Sequence, residues 1–238
     1  MRKRRVFVLL VSLVMLGVWV IASQTAYMPS GASETADTPD ATVDTSEPES
    51  RSLAMAVLET LEVKGRAAKT GYTRTQFGNG WLNTGGCDTR NRILARDMSD
   101  AKISDDCKVL SGTLRDPYTG TSILFNRGAT TSALVQIDHV VALSNAWQTG
   151  AQQLTAEQRV ALANDPLELL AVDGGANQKK GDGDAATWLP ANKAFRCQYI
   201  ARQIAVKQKY NLWVTPPEKQ AMQGVLSKCP EQALPAEK

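Results

Sequence analysis

Ala133–Leu143 reads ALVQIDHVVAL, Leu167–Val172 reads LELLAV, and residues 177–181 read NQKKG. The first run is rich in Val, Ile and Leu and predicts a strand interrupted by Asp138-His139. The second predicts a short strand closed by Asp173-Gly174-Gly175, and a helix starts from Ala176. An acid beside a histidine at a strand end places a hard oxygen ligand next to a proton acceptor. Asn177, opening the following helix, adds a neutral oxygen ligand. Such donors suit Mg²⁺, which prefers oxygen and keeps waters, with Mn²⁺ as an alternative, and the imidazole stays free to act as a base. Lys180 lies one turn beyond Asn177 and can face the same site as a phosphate contact.

Outward from this stretch, the pattern predicts helices over Ser52–Val63, Asn91–Met98, Thr155–Leu162 (with Thr155 as cap), Phe195–Tyr210 and Pro217–Ser227. Lys108–Leu114 and Ser122–Phe125 predict a hairpin around the turn chemistry of Asp116–Gly120. Short strands and helices without βαβ alternation make the fold class α+β. The chain shows no internal repeats.

The chain has 238 residues, 43% hydrophobic and 21% charged, enough to build a core. Its single histidine excludes sites that need two, among them His-x-x-His zinc sites and HExxH proteases. Aromatics at 6% argue against a large stacking platform for single strands. The net charge of +3 conceals three regions. Residues 1–23 carry Arg2, Lys3, Arg4 and Arg5 ahead of the apolar run Val6–Ala22, the order of a signal peptide or signal anchor. Residues 24–50 are acidic and rich in Ser, Thr and Pro, the composition of a disordered tether. Residues 51–238 form the folded domain, modestly basic and compatible with a polyanionic partner. The expected location is secreted, or membrane-anchored and facing outside the cell, with membrane contact only through an uncleaved N-terminal segment.

Cys87, Cys107, Cys197 and Cys229 show no CxxC spacing, and an even count in an exported chain suggests two disulfides. Of three possible pairings, the sequence-local one, Cys87–Cys107 with Cys197–Cys229, is expected. Loops of this length contribute about 3 kcal/mol each by restricting the unfolded chain.

The residues Asp138-His139-Val-Val-Ala-Leu, Leu-Leu-Ala-Val and Asn177-Gln-Lys-Lys-Gly resemble the ββα-metal (His-Me finger) core of HNH endonucleases. The nearer likeness is to secreted HNH nucleases similar to the C-terminal domain of the GmrSD restriction nuclease. It runs from about Val63 to about Ala221 through YTRTQF (72–77), GCDTRN (86–91), SGTLRDPYTG (111–120), QIDHVVALSNAWQTGA (136–151), KGDGDAATWLP (180–190) and YNLWVTP (210–216). The resemblance implies His139 as general base, Asp138 and Asn177 as ligands of one divalent ion, and hydrolysis of phosphodiester bonds in DNA, with RNA as the second option. It implies no stable protein partner. One position departs: the middle Asn of the pattern is Glu168 here, which keeps an acceptor for bracing the base-carrying loop but loses the amide donor.

Each assignment has a plainer counterpart. His139 can be a satisfied half-buried ring, Asp138 a strand-end charge, Asn177 a helix cap, and Lys179 and Lys180 solvated charges. Asp182 and Asp184 are expected to cap the helix that follows. Arg90 is either part of a polar network or a substrate clamp, and Arg196, Arg202, Lys207 and Lys209 either a solvated face or a nucleic-acid contact. Trp147, Trp188 and Trp213 are expected in the core. The alternative function is a catalytically weak or inactive HNH-fold module that binds nucleic acid or cell wall. A peptidase is disfavoured, since no Ser-His-Asp or Cys-His pattern is readable.

Overall fold

The structure is a computed structural model and describes residues 53–235. The expectations for residues 1–50, a signal segment and an acidic tether, lie outside the described residues. No helix among the described residues is long and apolar enough to cross a membrane.

Among the described residues, seven α-helices and seven short strands alternate irregularly, an α+β fold. The helices are α1 (Ala54–Thr60), α2 (Thr89–Asp97), α3 (Leu143–Gln148), α4 (Ala156–Asn164), α5 (Gly174–Lys180), α6 (Arg196–Lys209) and α7 (Pro216–Leu226). The strands are β1 (Asn83–Thr84), β2 (Cys87–Asp88), β3 (Met98–Ile103), β4 (Val109–Arg115), β5 (Ser122–Asn126), β6 (Val135–His139) and β7 (Leu169–Asp173). β1 pairs with β2, β3–β4–β5 form a three-stranded antiparallel sheet, and β6 pairs antiparallel with β7.

The β6–β7 ribbon lies between two apolar clusters, which explains the unbroken apolar run LLAV. Leu169 and Ala171 join the cluster built by Ile93, Leu94, Val109 and Phe125 under α2 and the three-stranded sheet. Leu170 and Val172 point the other way, into the cluster formed with Tyr199, Ile200 and Ile204 of α6. β6 alternates differently. Val135 and Ile137 enter the α2 cluster, so Gln136 and Asp138 must face the opposite side. That side is covered by α5.

Local chemistry sets the ends of these elements. Asp173 caps α5 by accepting from the Ala176 N–H at 2.7 Å, and Thr155 and Thr215 cap α4 and α7 in reciprocal capping boxes. At Gly174 an added Cβ would stand 2.2 Å from the Ala133 carbonyl oxygen, so only glycine lets α5 start this close to β6. The hairpin turn is tied to the ribbon as well. Buried Asp116 accepts from the Thr119 N–H at 2.7 Å and, with its other oxygen, from the Asp173 N–H at 2.9 Å.

The expected hairpin, the helices and both disulfides are present, with Cα atoms 5.3 Å apart at Cys87–Cys107 and 6.5 Å at Cys197–Cys229. Three local expectations are corrected and one strand is added. The helix expected after Asp182 and Asp184 is only a turn over residues 185–187. Ala133–Leu143 is not one interrupted strand: β6 stops at His139, and Leu143 begins α3. Asn177 does not open its helix, because Asp173 caps it and Gly174 and Gly175 form its first turn. Met98–Ile103 is a strand whose mixed, largely exposed residues carried no period-2 signal.

Candidate active site

Helix α5 and strand β6 meet by simple periodicity. Residues three apart on a helix share a face, as do residues two apart on a strand. Asn177 therefore reaches Gln136, its Nδ2 donating to Oε1 at 2.9 Å, and Lys180 reaches Asp138, its Nζ donating to Oδ1 at 2.9 Å. Lys180 also donates to the His139 carbonyl at 2.6 Å. The second Asp138 oxygen accepts from the Tyr118 hydroxyl, brought in by the Asp116–Gly120 turn. Tyr118 is fully buried, and Trp188 packs edge-on to it with ring centroids 4.9 Å apart. Burial, with the Asp138 charge beside it, pushes the Tyr118 phenol well above its usual pKa, so it stays a donor.

His139, last in β6, points to the other side. Its Nε2 lies 3.0 Å from the Ala163 carbonyl at the end of α4, and Trp81 stacks on the ring, 5.6 Å between centroids at 8°. A carbonyl can only accept, so Nε2 carries the hydrogen and Nδ1 of the neutral ring keeps the lone pair. Burial, and secondarily the Arg74 charge, lower the imidazole pKa to about 3, so the ring is neutral near pH 7.

The segment after His139 is held by Glu168. The Glu168 carbonyl accepts from the Val140 N–H at 2.9 Å, and its carboxyl Oε2 accepts from the Val141 N–H at 3.2 Å. Glu168 is 0% exposed, and its Oε1 has no partner among the described residues. Burial drives its pKa well above the ordinary carboxylate value, although the Val141 N–H and Lys180 pull the other way. A neutral acid has one O–H donor and one carbonyl acceptor, the same pair an Asn amide offers.

Asp138, His139 and Asn177 line one cavity of about 260 Å³, together with Ser144, Asp182 and Arg74. A neighbouring cavity of about 140 Å³ shares His139 and Arg74 and is walled by Phe77, Trp81 and Ala163. A larger cavity, about 420 Å³, lies elsewhere, against Arg115, Phe195 and Leu234, and none of these three residues figures in the chemistry above.

The donors suit a hard cation that retains waters. The Asn177 amide uses its nitrogen on Gln136 and leaves its oxygen available. Each Asp138 oxygen accepts one hydrogen bond and has a second lone pair left. Among the described residues no group of three His, Cys, Asp or Glu side chains gathers as a closed metal site.

Other expected positions are placed differently. Lys180 is 3% exposed with its charge turned inward, so it does not fit a direct phosphate contact. Arg90 does not line the His139 cavities; it donates to the Ser132 and Val135 carbonyls at 3.4 and 3.1 Å and anchors the entry to β6. The α6 cations form no open stripe. Arg196 and Arg202 donate to the Pro190 and Leu167 carbonyls, Lys207 pairs with Glu218, and Lys209 with Asp165. Asp184 caps the turn at Ala186 and Thr187 and pairs with Arg66 at 2.7 Å. Asp182, at the cavity, accepts from Ser144 at 3.2 Å and pairs with Lys69 at 3.3 Å. Trp147 and Trp213 are buried, and Trp188 packs against the core. Arg74 and Tyr118 fall inside the stretches YTRTQF and SGTLRDPYTG that carry the resemblance, without a role of their own there, and Trp81 falls in none of those stretches.

Comparison with known proteins shows the family. The chain is 37% identical over 182 residues to an uncharacterized secreted protein of Arthroderma benhamiae, covering 76% of this chain and 86% of that one. No solved structure matches. Residues 88–225, more than half of the chain, match the model of the C-terminal domain of GmrSD restriction endonucleases, and the chain belongs to that family.

Proposed function

We propose that the chain is an exported endonuclease that hydrolyses phosphodiester bonds, in DNA before RNA, with His139 as general base. One observation carries this reading. The Ala163 carbonyl commits His139 Nε2 as a donor, so Nδ1 is left to take a proton, on a residue that shares a cavity with Asp138 and Asn177.

In this reading His139 Nδ1 accepts a proton from water as the water attacks phosphorus in line with the departing 3′ oxygen. Trp81 and Ala163 fix the plane and tautomer of the imidazole. Glu168 holds Val140 and Val141, and so fixes where β6 delivers the base. Lys180 and Tyr118 hold Asp138; they are positioning groups with no contact to substrate. Asp138 and Asn177 would hold a divalent ion, with Mg²⁺ as the first choice. When bound, such an ion supplies charge neutralisation at the phosphate. Export is supported by the basic-then-apolar N-terminus, the two disulfides, and the secreted relative.

The second reading, a binding module of the same fold, has one observation in its favour: both Asp138 oxygens already serve Tyr118 and Lys180. One experiment separates the two. The full chain is incubated with supercoiled plasmid and with structured RNA, with Mg²⁺, with Mn²⁺, with chelator, and as His139→Ala. Metal-dependent nicking lost in His139→Ala supports the nuclease. Binding without nicking under either ion supports the module.

A further inference from the structure

Arg74 is exposed, yet among the described residues its guanidinium makes no hydrogen bond or ion pair. It lines both cavities that flank His139, and its charge is the second-largest influence on that imidazole. Its platform is rigid. Arg74 opens the short 3₁₀ turn Arg74–Phe77, whose Phe77 is buried edge-on to Trp147, 6.4 Å between centroids. Arg159 clamps the same turn, donating to the Gln76 carbonyl at 3.0 Å and to its side-chain oxygen at 3.2 Å. A firmly held turn thus presents an unspent cation where two cavities join beside the candidate base.

We infer that Arg74 is a phosphate-binding residue of the nucleic-acid site. This rests on the nuclease reading above. Two features distinguish Arg74 from the other cations near the site. Lys180 is spent on Asp138, Lys69 pairs with Asp182, and Arg66 pairs with Asp184. A planar guanidinium matches a phosphate with two parallel N–H donors, which a solvated lysine cannot do.

The test uses the full chain as wild type, Arg74→Gln, Arg74→Lys and a control Lys228→Gln at an exposed position outside both cavities. Cleavage of plasmid gives kcat/KM. Each protein also carries His139→Ala for binding a short DNA duplex across a salt series. Arg74→Gln should flatten log K against log[salt] by about 0.9, one phosphate contact, and lower kcat/KM about 10- to 100-fold. Arg74→Lys should restore most of the slope and part of the rate, and Lys228→Gln should match wild type. If wild type cuts DNA and Arg74→Gln changes neither slope nor rate, Arg74 is a bystander while the nuclease reading stands. If wild type neither cuts nor binds nucleic acid, the nuclease reading fails and this inference fails with it.

Discussion

Lys180 places its ammonium 2.9 Å from Asp138 Oδ1 with both side chains buried, an ion pair that joins α5 to the end of β6 at the candidate site. The same ammonium holds the His139 carbonyl. The helix bearing Asn177 and the strand bearing the base are therefore locked through one cation, and Tyr118 closes the arrangement from the hairpin turn.

Removing that cation leaves a buried carboxylate uncompensated. Lys180→Met should destabilise the fold by ~3–5 kcal/mol, the usual result of breaking a buried pair from one side. Tyr118→Phe should cost less, ~1–3 kcal/mol, because it removes one donor and no charge. Urea denaturation measures both. A loss below 1 kcal/mol for Lys180→Met would mean that Asp138 finds water in the folded chain.

His139→Ala should lower metal-dependent nicking by about 10²–10⁴-fold with a near-native circular-dichroism spectrum. Asp138→Asn is a cleaner probe of the metal than Asp138→Ala, since its amide oxygen can still accept from Lys180 and its amide nitrogen can donate to the Tyr118 oxygen. It should raise the Mg²⁺ concentration for half-maximal nicking, and unchanged metal dependence would remove Asp138 from the ligand set.

Much of this was legible in sequence, for identifiable reasons. LELLAV declared a strand because a ribbon between two clusters needs apolar residues on both faces. Asp138-His139 stood out because an acid in a Val/Ile strand needs a partner. The partner itself was not legible. Lys180 on a short helix ordinarily points to water, and only the approach allowed by Gly174 turns it inward. Tyr118, Trp81 and Arg74 come from turns and loops far along the chain, where no periodicity announces which way a side chain faces. The departure at Glu168 was visible, but the upward shift of its pKa comes from complete burial, a property of the folded chain.

Gly174→Ala should be poorly tolerated despite alanine's better helix propensity. The new Cβ would meet a backbone oxygen at 2.2 Å, so α5 must move as a unit. The expected loss is about 1–3 kcal/mol, with weaker Mg²⁺ binding by calorimetry as Asn177 is displaced from β6. A stable variant with unchanged metal affinity would show that α5 can shift without consequence.

Cys197–Cys229 spans 32 residues and ties the start of α6 to the segment after α7. Replacing both by alanine should cost about 3–4 kcal/mol through the freed unfolded chain. Because neither cysteine lines the His139 cavities, nicking at low temperature should persist, which a parallel melt and activity assay checks.

Glu168 gives a pH test with a definite sign. Its folded pKa is raised by burial, with Asp138 adding to the effect, so the folded chain holds this proton more tightly than the unfolded chain does. The contribution is fully present below the unfolded value and is lost as pH rises toward the folded one. Glu168→Gln cannot ionise, yet keeps a carbonyl for the Val141 N–H and the donor of a neutral acid. Its melting temperature should gain on wild type as pH rises from 5 to 8, and the two should converge near pH 4. A constant difference across that range would show that Glu168 is ionised in the fold. Activity adds a second readout. If Glu168 positions the base-carrying segment, Glu168→Gln and Glu168→Asn should both keep Mg²⁺-dependent nicking. Loss as complete as in His139→Ala would instead make the carboxyl a chemical group, with a metal ligand or second base as its role.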